Sequence, residues 1–410
     1  MDTISRRKFL KLTAGTAAGA ATALTLEDVS QAAISRPMPA GTPILVVVTL
    51  YGGNDGLNTL VPYNDPLYAA SRPNLFLKPS EVLPLGDGLG LNGSMVGFKT
   101  LWDRKEMAII RGVGYPNFDR SHFSSMAIWQ SGSPAKHEQS GWIGRWLDSQ
   151  PRDPMTAIGL GSVLPPLLAG VRNMGSVLPL GGLVVPNGTL AQRFKLMSRS
   201  SAEDNAMSAI AASNLQDLFG LNKEVTPILK KPAPLPDDLP SAIGSNFGGD
   251  TSLTQQLDLV AKLVTAGAPT RVWAVSLGGF DTHADEVKSQ SALIGNVSTA
   301  VTKFLSQIHA TSRKNDVTVL VYSEFGRRVK ANASQGTDHG TSGPVFVVGG
   351  KVNGGKFYGD QPSLKNLKDG DLAVTTDFRD IYGSILQNIL NQDETRVLDK
   401  WKTNLPLFSS

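Results

Sequence analysis

Asp281 and His283 stand two residues apart, directly after Gly278-Gly279 at the end of an apolar run. In extended backbone alternate side chains point the same way, so a carboxylate oxygen and an imidazole nitrogen at this spacing can converge on one cation. Asp338-His339 offers a second acidic and imidazole pair. Together they read as metal ligands, against the plainer alternative of an N-capping Asp beside a surface His. Asp55 lies in Gly52-Gly53-Asn54-Asp55-Gly56. It is either a further ligand or simple turn chemistry, which Asn-Asp-Gly favours in any protein. Glu324 closes a strongly apolar run. An unpaired carboxylate is costly to bury, so Glu324 needs a metal or the nearby Arg327 as partner. Ser121-His122 offers a nucleophile and a base, or His122 is itself phosphorylated or binds metal. Ser121 also fits an ordinary helix N-cap, which is the favoured reading, and the role of His122 stays open. Arg327 and Arg120 are candidate clamps for phosphate or sulfate oxygens. His137 and His309 have no clustered partners and receive no role.

These residues need elements to bring them together. Short apolar, β-branched runs at Ile44–Leu50, Met107–Val113, Arg271–Leu277, Val317–Tyr322 and Pro344–Val348 read as strands buried on both faces. Helical patterns lie between them, at 124–130, 141–148, 190–219, 252–265, 286–309 and 378–390. Alternating strand and helix imply a layered α/β fold. Each polar cluster follows a strand or, for Asp338-His339, precedes one, and ligands in open α/β sheets bind beyond the carboxyl ends of strands. The stretch 159–182 reads as loops with a small hairpin, and the Pro-rich Lys230–Pro240 as a connector within an insertion around 223–245.

Composition narrows the function further. The chain has 410 residues, a formal charge of +4, no cysteine and no run of like charges. That excludes thiolate chemistry, disulfides and Cys-held metals, and argues against nucleic-acid partners, which need concentrated basic patches. Ser5-Arg6-Arg7-Lys8-Phe9-Leu10-Lys11, then a mildly apolar run from Leu12 to Leu26 and small residues at Ser30-Gln31-Ala32-Ala33, has the layout of a twin-arginine export signal over 1–33. That apolar run is too short to span a bilayer. The expectation is a mature α/β domain over 34–410, located in the periplasm or otherwise outside the cytoplasm, with no stable membrane span after cleavage.

The motifs in combination resemble a known bacterial family, domain of unknown function 1501. They are Gly52-Gly53-Asn54-Asp55-Gly56-Leu57-Asn58, Arg120-Ser121-His122-Phe123 with Trp129-Gln130-Ser131-Gly132, Gly278-Gly279-Phe280-Asp281-Thr282-His283, Ser323-Glu324-Phe325-Gly326-Arg327 and Asp338-His339-Gly340. The resemblance implies the alkaline phosphatase/sulfatase-like superfamily and its three-layer α/β/α sandwich around a large mixed, mostly parallel sheet. It implies divalent metal, with Asp55 as the first-strand ligand, Asp281 and His283 as a metal-binding pair and His339 as the last histidine. Glu324-Phe325 stands where that superfamily usually carries Asp-His, so one imidazole ligand is missing. His122 occupies the place of the usual hydroxyl nucleophile. Two functions follow as expectations. One is an exported hydrolase of anionic phosphate or sulfate esters using zinc, manganese, iron or calcium. The other is a secreted, non-catalytic binding or assembly protein with a degenerate site.

Overall fold

The computed structural model describes residues 22–135, 138–180 and 252–409. The paired arginines, the helix expected over 190–219, the Pro-rich connector and His137 lie outside the described residues. In chain order the strands are β1 (Thr22–Ala23), β2 (Ile44–Leu50), β3 (Leu60–Val61), β4 (Val82–Gly86), β5 (Leu89–Asn92), β6 (Met107–Gly114), β7 (Ala157–Leu160), β8 (Ser176–Leu178), β9 (Val272–Leu277), β10 (Val317–Ser323), β11 (Gly343–Gly349), β12 (Lys356–Tyr358) and β13 (Thr376–Asp377). The helices are α1 (Leu26–Ser35), α2 (Pro66–Ser71), α3 (Val96–Asp103), α4 (His122–Ser131), α5 (Trp142–Leu147), α6 (Leu253–Thr265), α7 (Glu286–His309) and α8 (Phe378–Asn388). They fall into two compact units, one made of 1–38, 140–242 and 266–270, the other of 39–139, 243–265 and 271–410. Among the described residues no helix is long and apolar enough to cross a membrane.

The larger unit holds a mixed, mostly parallel sheet in the order β9-β2-β10-β11-β6-β12, with β13 also on β6. Strands β9, β2 and β10 run parallel. Strand β11 is antiparallel to both β10 and β6, so β6 runs with the rest. All seven residues of β2 are buried, as a continuous apolar run between two layers requires. The layers follow from pleat geometry. Val321 pairs with Phe346 across β10 and β11, so both face one side, and Tyr322 faces the other. Phe98 of α3 meets Phe346 at 5.2 Å, and α7 packs on α3 and α6. On the opposite face Trp129 of α4 stacks 5.0 Å from Tyr322 and 4.8 Å from Phe378 of α8. Helices therefore cover both faces, as the sequence pattern implied.

The shared direction of β2, β6, β9 and β10 puts their carboxyl ends on one edge, where β11 begins: Gly343 pairs with Val113 near the end of β6. A small antiparallel sheet, β3-β5-β4, was not foreseen. Its strands are two to five residues long, too short to show a period. In the smaller unit the sheet is β1-β8-β7, all parallel. Within 159–180 the chain is mostly loop and makes one small antiparallel turn, Ala169 bridging Met174 and Gly170 N donating to Asn173 O at 3.1 Å, while β7 and β8 themselves run parallel.

The stacked Trp129 anchors α4, and through it His122, to the sheet. Trp129→Ala is expected to cost about 3–5 kcal/mol, as large-to-small changes of core aromatics do. Denaturant unfolding checks this; a loss under about 1 kcal/mol would contradict the anchoring role.

Candidate metal centre

Arg327, three residues beyond Glu324, enters the larger unit with its side chain fully buried. Its Nε donates to Gly53 O at 2.7 Å and its Nη1 to Thr337 O at 2.9 Å. Its Nη2 donates to Phe280 O at 2.9 Å, to Asp281 Oδ1 at 2.7 Å and to Gly52 O. One guanidinium thus ties the segments after β2 and β9 to the one before β11. Every nitrogen of the group expected to clamp an anion is spent on the chain itself, so Arg327 organises the site from beneath. The approach is tight: Gly53 has φ +74°, and a Cβ there would stand 2.3 Å from the Phe325 ring.

Above Arg327, Asp281 Oδ1 collects three imidazoles. It lies 2.9 Å from His283 Nε2, 3.1 Å from His339 Nε2 and 3.5 Å from His122 Nε2. His283 Nε2 and His339 Nε2 are 3.0 Å apart. Each ring is held from its other nitrogen. His122 Nδ1 meets Glu324 Oε1 at 2.8 Å, and His339 Nδ1 donates to Arg120 O at 2.8 Å. His283 Nδ1 faces Asp338 Oδ1 at 3.4 Å. A carbonyl only accepts, so the proton of neutral His339 sits on Nδ1, and the carboxylates favour the same tautomer for the other two rings. Lone pairs on the Nε2 atoms then face one another and Asp281 Oδ1, a repulsion that a cation placed among them would relieve. His122 Nε2 is buried without a hydrogen-bond partner.

The donor set fits a divalent cation. His122, Asp281 and His339 each offer one atom, all within 4.8 Å of one another, and His283 joins through Asp281 and His339. Zinc bonds of about 2.0–2.1 Å in a tetrahedron set neighbouring ligand atoms about 3.3 Å apart, close to the contacts made here. Outward hydrogen bonds from each Nδ1 are the usual support of metal-binding imidazoles. Burial pushes the Asp281 carboxyl up, but the hydrogen bond and charge of Arg327, aided by His339, hold it at about 2. Asp281 is therefore anionic across the physiological range. Desolvation lowers His339, and the hydrogen bond to Glu324 raises His122.

The remaining expected residues are placed differently. Asp55 is buried against Arg72 Nη1 at 2.6 Å and accepts from Leu57 N at 3.3 Å. It takes the turn role and does not join the imidazoles. Glu324 also stands one step back: it supports His122 and accepts from Gly52 N at 2.8 Å, rather than pairing with Arg327. Ser121 caps α4, its Oγ accepting from Ser124 N. His122, read as a base, a phosphorylated residue or a metal ligand, faces the carboxylate like the other two histidines. Sequence reasoning missed Glu286, the first residue of α7, because a Glu there looks like ordinary complement to the helix dipole. It is fully buried, accepts from Thr337 Oγ1 at 2.5 Å and shares a hydrogen bond with Asp55. Burial and the Asp55 charge push its carboxyl up to about 9.

The model of a family described as "Protein of unknown function (DUF1501)" matches residues 102–400. No curated protein matches the chain. Among solved structures the chain is similar to a protein in the alkaline phosphatase superfamily from Vibrio parahaemolyticus, with 10% identity, 88% of this chain and 74% of that one covered, and a TM-score of 0.41. It is also similar to murine ectonucleotide pyrophosphatase/phosphodiesterase 5, with 9% identity, 90% and 98% covered, and a TM-score of 0.39. For an alkaline phosphatase from the Antarctic bacterium TAB5 the values are 12%, 75%, 92% and 0.35.

The Glu286 carboxyl gives a pH prediction. A group whose folded pKa is raised binds its proton more tightly folded than unfolded, so the stability it adds is complete below about pH 4.5 and is lost as pH rises towards 9. Glu286→Gln should flatten the fall in melting temperature across that window. An unchanged slope would show that Glu286 is not the titrating group.

Proposed function

We propose that this chain, which belongs to the family described as protein of unknown function (DUF1501), is a metal-dependent hydrolase of phosphate or sulfate esters that works outside the cytoplasm. The observation that carries the reading is the set of three imidazoles, each held through Nδ1, whose Nε2 atoms meet at Asp281 Oδ1. Asp281, His122, His283 and His339 would hold the ion, and imidazole-rich sets of this kind suit zinc, iron or manganese better than calcium. A bound divalent ion supplies Lewis acidity towards an ester oxygen and makes water a usable nucleophile near neutral pH. The chain's own contributions are positional. Glu324 fixes the ring plane of His122, the Arg120 carbonyl fixes that of His339, and Arg327 keeps Asp281 ionised.

Anion recognition passes from Arg327 to Arg120 and Arg328. Both are part-exposed, and both reach the buried Asp371, Arg120 in an ion pair and Arg328 at 3.8 Å. Two guanidinium groups sharing one carboxylate leave a net positive charge suited to ester oxygens. Export by a signal at the start of the chain belongs to the same proposal and rests on the sequence pattern alone. A second reading, a binding or assembly protein with a metal but no turnover, is favoured by one observation: the Ser121 hydroxyl, the expected nucleophile, is committed to a helix cap.

Metal analysis of purified protein, paired with nitrophenyl phosphate, phosphodiester and sulfate substrates, separates the readings. About one ion per chain with turnover is expected, and both should disappear in His283→Ala and His339→Ala. Metal without turnover on any substrate supports the binding role, and absence of both overturns the site. Arg120→Ala should raise KM roughly tenfold with a smaller change in kcat, the scale of losing one charge-assisted contact. A wild-type KM would remove Arg120 from substrate recognition.

A further inference from the structure

We infer that residues 22–35 are a permanent part of the folded protein, so that Ser30-Gln31-Ala32-Ala33 is not the point at which an export leader is removed. In the smaller unit β1 extends the sheet as a parallel neighbour of β8, with Thr22 opposite Ser176 and Ala23 opposite Val177. Leu24 N continues the ladder to Val177 O at 2.7 Å, and its side chain is buried. A terminal segment stays ordered when it is tied down in this way.

The helix that follows is closed at both ends. Thr25 and Asp28 form a reciprocal capping box: Asp28 N donates to Thr25 Oγ1 at 3.2 Å, and Thr25 N donates to Asp28 Oδ2 at 2.7 Å. Val29, Ala32 and Ala33, at the i, i+3, i+4 spacing of one helix face, are buried. Arg36 N caps the end on Ala32 O, while the Arg36 guanidinium grips Asp153 with both terminal nitrogens. Met38 N then donates to Gly267 O at 2.9 Å. The small residues that read as a cleavage signal are the ones whose size lets α1 seat closely.

A processing protease needs several residues extended and accessible. Here it would have to unwind α1, expose Ala32 and Ala33 and break the Arg36–Asp153 pair, an opening drawn from folded rather than frayed structure. A leader carried across the membrane by the folded protein therefore ends before Thr22. The inference bears on maturation and does not depend on what the metal centre catalyses.

N-terminal sequencing and intact mass of the full-length gene product, recovered from its host and fractionated by compartment, test this. A first residue at or before Thr22 is expected. A chain beginning anywhere from Ala23 to Arg36, Ile34 above all, would overturn it. An uncut chain confined to the cytoplasm would sink the export reading and leave this one standing. As an independent arm, a chain starting at Ile34 should melt several degrees below one starting at Thr22, since losing the strand and most of the helix costs a few kcal/mol. Equal melting temperatures would show that 22–33 is dispensable and contradict the inference.

Discussion

The buried guanidinium of Arg327 is the constraint on which the site depends. Strands that end on one edge of a sheet bring their loops near one another, but nearness does not fix a carboxylate to within a few tenths of an ångström. Arg327 does so by donating to Gly52, Gly53, Phe280 and Thr337 carbonyls and to Asp281 at once. A charge taken out of water is tolerable only when nearly all its hydrogen bonds are replaced, and this one has a carboxylate and four carbonyls to do it. The charge that is costly to bury is also what keeps Asp281 ionised.

A second buried pair supports the first from the neighbouring turn. Arg72 binds Asp55 and the carbonyls of Arg328 and Val329, holding the segment that follows Arg327. Asn54 and Thr59 extend the network to Gln290 of α7, one turn beyond Glu286. The polar interior is thus continuous beneath the imidazoles. It explains why so many charged and amide side chains are buried beside a sheet whose strands are almost wholly apolar. It also explains the two kinds of carboxylate here: Asp281, held low by Arg327, and Glu286, pushed up by burial and by the Asp55 charge.

Much of this was legible in the sequence. The strand and helix positions were, because continuous β-branched runs and a 3.6-residue period are local signals: β2 and α7 fall where the pattern put them. The clustering of Asp281, His283 and His339 was legible too, since strand ends in a parallel sheet share an edge. The partners were not. Asp55 and Glu324 each carried a stated alternative, and long-range geometry decided them: Arg72, 17 residues on, takes Asp55, and His122, over 200 residues back, takes Glu324. No local spacing announces that His122 faces the same oxygen as His283. Nor does any pattern reveal that Glu286 is buried against Thr337, or that a run of small residues near the start of the chain is a packed helix face.

Whether these imidazoles and Asp281 are arranged for one cation is read out by titrating the metal-stripped chain with cobalt(II) while recording its visible spectrum. Intense d–d absorption of low-symmetry, nitrogen-rich coordination is expected, saturating at about one equivalent and lost in His122→Ala as well as in His339→Ala. A spectrum that stays that of the hydrated ion at every ratio, or one that His122→Ala leaves unchanged, would contradict it.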